Sequence, residues 1–201
     1  MQFHSIKAIV IKSIPYQECQ KILTLFSGEL GIASMIIKGL SSKGSHKLPF
    51  TMPFCEAEFV FSKGRSDLLL FQEGSIINLN LPLRDNLSNL ETALSLYDTL
   101  IPLQLPGKPA PHLYALLSTF LRQIPFFSCP KILTSCFKLK ILLHEGLYHP
   151  EEKEDSISTI EKKIIEQIAL VPNFATLKEL KLPSDVFHKI EKLFLERTNN
   201  L

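Results

Sequence analysis

Residues 54–61 read Phe54-Cys55-Glu56-Ala57-Glu58-Phe59-Val60-Phe61, and their period of two decides how the first third of the chain is built. Ala57, Phe59 and Phe61 fall on one side, Glu56 and Glu58 on the other. That is the pattern of a strand with one face in a core and its carboxylates on a solvated wall. Working outward, β-rich runs cover Ile6–Lys12, Lys21–Phe26 and Gly31–Lys38 before it, and Ser66–Gln72 and Ser75–Leu79 after it. Ser27-Gly28-Glu29, Lys63-Gly64-Arg65-Ser66 and Glu73-Gly74 read as turns. Five or six short strands without helical periodicity predict a small closed or nearly closed barrel.

Beyond residue 84 the period changes. Leu87, Leu90, Leu94, Tyr97 and Ile101 form a stripe at helical spacing, with Asp85 or Asn86 as N-cap and Pro102 as the stop. Leu105–Pro111 reads as a linker. A second helix carries Leu113, Leu117, Phe120 and Leu121, and a third runs from Pro130 to a C-terminal signal at Gly146. Ser158-x-x-Glu161 has the form of a capping box before Ile160, Ile164, Ile165 and Ile168, and a last helix starts near Ser184. The expected architecture is α+β: a β-barrel over residues 1–80, then an all-helical domain over residues 81–201.

The composition suits a globular chain: 201 residues, 45% apolar and 21% charged, with a net charge of +2. That charge excludes a histone-like polycation. The first 150 residues carry an excess of Lys and Arg, whereas residues 151–201 are mildly acidic. No apolar run approaches the roughly 18 residues of a membrane span, and no charged leader precedes an apolar stretch, so a soluble cytoplasmic protein without membrane association is expected. Cys19, Cys55, Cys129 and Cys136 form no C-x-x-C pair. They read as reduced thiols, and with His144 and His149 they match no usual zinc spacing; no metal or other cofactor is expected.

No phosphate-cradling glycine loop, nucleophile elbow or H-E-x-x-H pair is present. Glu56 and Glu58 are explained by alternation on a barrel wall, so no catalytic residue is assigned. One segment carries chemistry. Lys38-Gly39-Leu40-Ser41-Ser42-Lys43-Gly44-Ser45-His46-Lys47-Leu48-Pro49-Phe50 holds three lysines and no acid among Gly and Ser residues. Ammonium groups there can neutralise phosphates while the small residues allow close backbone approach. Lys63 and Arg65, in the turn after the alternating strand, extend the set. The candidate nucleic-acid-binding residues are Lys38, Lys43, His46, Lys47, Lys63 and Arg65.

The order of these pieces matters further. Ile6–Lys12 is followed by Tyr16-Gln17-Glu18, Lys21-Ile22-Leu23-Thr24-Leu25-Phe26, Glu29-Leu30-Gly31 and Lys38-Gly39. Downstream comes Leu142-Leu143-His144-Glu145-Gly146-Leu147-Tyr148-His149-Pro150. Over about residues 5–150 this resembles the bacterial DNA repair protein RecO family. The resemblance implies an OB-fold barrel joined to a helical domain and no enzymatic turnover. It implies binding of single- and double-stranded DNA, annealing of complementary strands, contact with single-stranded DNA-binding protein, and action with RecR to load recombinase. Many members carry a four-cysteine zinc element after the Gly-Tyr-x-Pro segment; here Glu151-Glu152-Lys153-Glu154-Asp155 follows, so the element is absent from that place. Lysines stand where the family's loop usually has arginines, which favours sequence-tolerant contact over bidentate recognition. The partner tail is expected on an apolar, cation-rimmed helical surface bearing Phe120, Phe137, Lys138 and Lys140. The alternative function is a protein-interaction adaptor of the same fold with little DNA affinity.

Overall fold

The computed structural model describes residues 2–40, 46–64, 67–149 and 158–199. Five strands, β1 (Phe3–Gln17), β2 (Gln20–Ser27), β3 (Gly31–Lys38), β4 (Glu56–Lys63) and β5 (Leu69–Asn78), close into a barrel in the order β1-β2-β3-β5-β4. Every pairing is antiparallel except β3 with β5, which run parallel and meet only through Met35–Leu69 and Ile36–Leu70. This is the closed barrel that the sequence pattern predicts, in the OB-type order that the resemblance implies, and helices follow it.

The alternation of β4 is realised: Ala57, Phe59 and Phe61 enter the barrel core with Val10, Leu23, Leu25, Met35, Ile37 and Phe71. A 3-10 turn, Leu48–Thr51, plugs one end. Its Phe50 ring lies 5.9 Å from Phe59 and 5.3 Å from Phe71, centroid to centroid, an aromatic cluster that adds directional packing to plain burial.

The two runs expected on either side of Glu73-Gly74 are one strand. Gly74 pairs opposite Phe59, and Gln72 is skipped between the Glu73–Val60 and Phe71–Phe61 pairs, a bulge. A Cβ on Gly74 would stand 2.5 Å from the Glu58 carbonyl oxygen and 2.9 Å from the Phe50 ring. The glycine marks close approach inside a strand rather than a turn.

The chain forms two compact units, Met1–Pro82 with Gln104–Arg122, and Leu83–Leu103 with Gln123–Leu201. The first therefore contains the barrel and nearly all of α2 (Pro111–Gln123). The second contains α1 (Leu87–Leu100), α3 (Pro130–His144), α4 (Thr159–Ala169), α5 (Phe174–Glu179) and α6 (Ser184–Thr198).

In the second unit the caps follow the sequence. Asn86 Oδ1 accepts the Asn89 N–H at 2.8 Å, and Ser158 with Glu161 completes a capping box. At the end of α3 the Leu147 N–H reaches the Leu142 carbonyl at 2.8 Å and Gly146 the Leu143 carbonyl, a Schellman turn. The face of α1 differs from the expected stripe. Tyr97 is buried as expected, but Leu87 is 67% and Leu94 46% exposed, and Ala93, Leu96 and Leu100 are buried instead. Thr92 and Thr99 share that buried side because their hydroxyls are satisfied by the Ser88 and Ser95 carbonyls. Ile160, expected in the core stripe of α4, is 75% exposed.

Candidate nucleic-acid interface

The segment joining β3 to β4 is anchored at both ends. Leu40 is buried in the barrel core and its N–H donates to the Cys19 carbonyl at 2.9 Å, while Phe50 plugs the barrel. Between these anchors Lys47 Nζ donates to the Lys38 carbonyl at 3.1 Å and lies 6.0 Å from the Phe71 ring centroid. Lys38 and His46 are exposed. The structure thus brings Lys38 and Lys47 together. Lys43 and Arg65 lie outside the described residues. Lys63 is elsewhere: it pairs with Leu69 at the end of β4 and lines a groove that includes none of Lys38, His46 and Lys47.

Strand register reveals candidate binding residues that the sequence reading missed. β1, β2 and β3 are aligned so that Lys12, Thr24 and Ser34 form one row across the barrel's outer face. Ile14, half-buried Ile22 and Ile36, itself only 4% exposed, form the next, and Gln17, Gln20 and Lys38 the third. Lys12 is exposed, Ile14 is 43% exposed and Tyr16, beside the third row, is 56% exposed. Neighbouring strands lie about 4.8 Å apart, so each row spans roughly 10 Å. Cations at the margins and apolar or aromatic surface between them suit phosphates and unstacked bases respectively. The signal in the sequence was the alternation Lys12, Ile14, Tyr16, but reading β1 as ending at Lys12 hid it. Lys21, whose Nζ is 3.4 Å from Thr51 Oγ1, adds a cation beside the plug.

Two expectations about side chains are corrected. Glu56 is not on a solvated wall: it is 4% exposed. Tyr114, Ser118 and Arg122, spaced four residues apart on one stripe of α2, donate to its carboxylate at 2.8, 2.9 and 2.7 Å. The alternation was real, but a helix covers that wall. Burial, then the Glu56 carboxylate, pushes the Tyr114 phenol well above its ordinary value of 10.0. These donors make Glu56 a structural anchor for α2.

The surface proposed around Phe120, Phe137, Lys138 and Lys140 does not form. Phe120 is 2% and Phe137 0% exposed. Lys138 is held by Glu191 at 2.5 Å, and Lys140 donates to the Ala169 and Val171 carbonyls. Both rings belong to the core because their positions complete buried helix faces.

Of the thiols, Cys136 is buried, its Sγ 3.4 Å from the Ile168 carbonyl, and desolvation pushes it up to about 12. Among the described residues, no three His, Cys, Asp or Glu side chains group as metal ligands, and no helix is long and apolar enough to cross a membrane.

Residues 1–80 match the family described as recombination protein O N terminal. Separately, 147 residues, 73% of the chain, align at 29% identity with the DNA repair protein RecO of Desulforamulus reducens. The RecO of Listeria monocytogenes serotype 4b aligns at 28% over the same length, and that of Syntrophomonas wolfei at 26% over 144 residues. The chain is thus similar to RecO proteins, and its first 80 residues match their N-terminal family. It spans 57% of the length of each of these RecO relatives. The family match over residues 1–80 covers the five barrel strands, the elements that carry Lys12 and Lys38.

Proposed function

We propose that this chain binds DNA through the outer face of β1, β2 and β3 and acts as a non-catalytic strand-annealing mediator in recombinational DNA repair. The observation that carries this reading is the register placing Lys12 and Lys38 at the margins of a face with Ile14 and Tyr16 exposed. Lys47, Lys63 and the cations of the flanking loops, Lys43, His46 and Arg65, extend the path for phosphates. Annealing follows from the same groups, since cations that screen two strands from each other let complementary bases meet. Similarity to RecO proteins supports the remaining roles: single- and double-stranded DNA as ligands, single-stranded DNA-binding protein and RecR as partners, recombinase loading as the outcome, and the cytoplasm as the place.

A titration with fluorescent single-stranded oligonucleotides across a salt series tests the reading. With about five phosphates neutralised, the logarithm of affinity falls with that of salt at a slope of roughly −3 to −4, about −0.7 per contact. Absence of binding at low salt would favour the protein-interaction adaptor instead.

A further inference from the structure

The parallel seam between β3 and β5 is only two residues long, and a groove opens beside it. Its volume is about 720 Å³, within the range of small-ligand sites. Leu30, Ile32, Leu68, Leu69 and Pro106 supply apolar walls. Ser34, Asp67 and Lys63 supply the polar groups. The end near Pro106 is fixed by contact: Gly31, at φ +58°, bridges to Pro106, and a Cβ there would lie 2.3 Å from the Lys108 carbonyl oxygen.

Ser34 belongs both to this groove and to the row of Lys12 and Thr24, so the groove continues the proposed DNA path. We infer that the groove receives one unstacked nucleobase of a single strand, with Lys63 on its adjoining phosphate. The inference rests on the DNA-binding reading and deepens it. Aliphatic walls pack on a base of any identity, and the Ser34 hydroxyl and Asp67 carboxylate meet the polar edge that pairing would otherwise occupy. In a duplex that edge is paired and the ring stacked, so only the backbone reaches the surface. The groove therefore makes the barrel prefer single strands.

Two measurements on the full chain decide this. Wild-type protein is titrated with an oligonucleotide, with an abasic sugar-phosphate strand of equal length, and with duplex. Ser34→Leu, whose side chain fills the groove mouth, is titrated in parallel after its melting curve is matched to wild type. The expected result is at least about tenfold weaker binding of wild type to the abasic strand. Ser34→Leu should lose a similar factor on the intact single strand, so that its affinities for the intact and abasic strands converge. Equal wild-type affinity for intact and abasic strands overturns the groove while leaving the DNA-binding reading intact. Unchanged single-strand affinity in folded Ser34→Leu does the same. Binding to none of the three nucleic acids removes the DNA-binding reading and the inference with it.

Discussion

Arg122 Nη2 stands 2.7 Å from Glu56 Oε2, closing a set of three donors from α2 around one buried carboxylate of the barrel. Glu56→Ala strips acceptors from Tyr114, Ser118 and Arg122 together and should destabilise by about 2–4 kcal/mol. Arg122→Ala should cost about 1 kcal/mol, because that side chain is 46% exposed and water screens the pair. Urea unfolding of the two variants checks the order; equal losses would show that the buried acceptor contributes nothing special.

Tyr114 gives the same cluster an optical reporter. Its folded pKa is raised, so above pH 10 the unfolded chain holds fewer protons than the folded one, and stability falls as pH rises through that range. Ultraviolet titration of the native protein should show a phenol ionising late, absent in Tyr114→Phe. A native titration identical in both proteins would contradict the Glu56–Tyr114 contact.

Glu161 makes the opposite linkage in the helical unit. The Lys189 ammonium at 2.6 Å, then the Ser158 N–H at 2.9 Å, hold its carboxyl at about 2 against an ordinary 4.5. A depressed folded pKa contributes stability above 4.5 that is lost as pH falls through 2. Glu161→Gln should melt lower at neutral pH and show a shallower acid decline than wild type. Parallel declines in the two proteins would exclude this group.

Gly74→Ala tests the bulged strand. The added methyl meets backbone at 2.5 Å, which no rotamer change relieves, so a loss of roughly 2 kcal/mol is expected by chemical denaturation. Gly64→Ala is the control, since its nearest contact would be an ordinary 3.6 Å.

On the DNA face, Tyr16→Ala should weaken single-strand binding about tenfold, the value of one base–aromatic stack, without changing the salt slope. Lys38→Glu with Lys47→Glu should lower affinity similarly for all sequences and flatten the slope by about 1.4, two contacts' worth. Oligonucleotide titrations at several salt concentrations separate the two effects.

The barrel was legible because β4 alternates without interruption and because buried and exposed side chains differ in polarity at Ala57, Phe59 and Phe61. The caps at Asn86 and Ser158 were legible because they are local. What escaped was whatever depends on distant partners. Glu56 reads as solvated until α2, more than fifty residues later, brings Tyr114, Ser118 and Arg122 over it. Glu73-Gly74 reads as a turn because composition cannot distinguish a tight turn from a strand pressed against Phe50. Lys12 and Tyr16 became candidates only when the register of β1 against β2 set them in rows.

The Glu56 anchor also bears on where this chain can be cut. The family match stops at residue 80, yet the donors that neutralise Glu56 come from residues 114 to 122. A recombinant fragment ending at residue 80 would carry an orphaned carboxylate where α2 had been, together with a bared Phe26, whose ring lies 6.4 Å from Tyr114. The polypeptide leaves the barrel, builds α1 elsewhere, and returns to finish it. Inheritance of the barrel as a separable module therefore requires a segment reaching through Arg122.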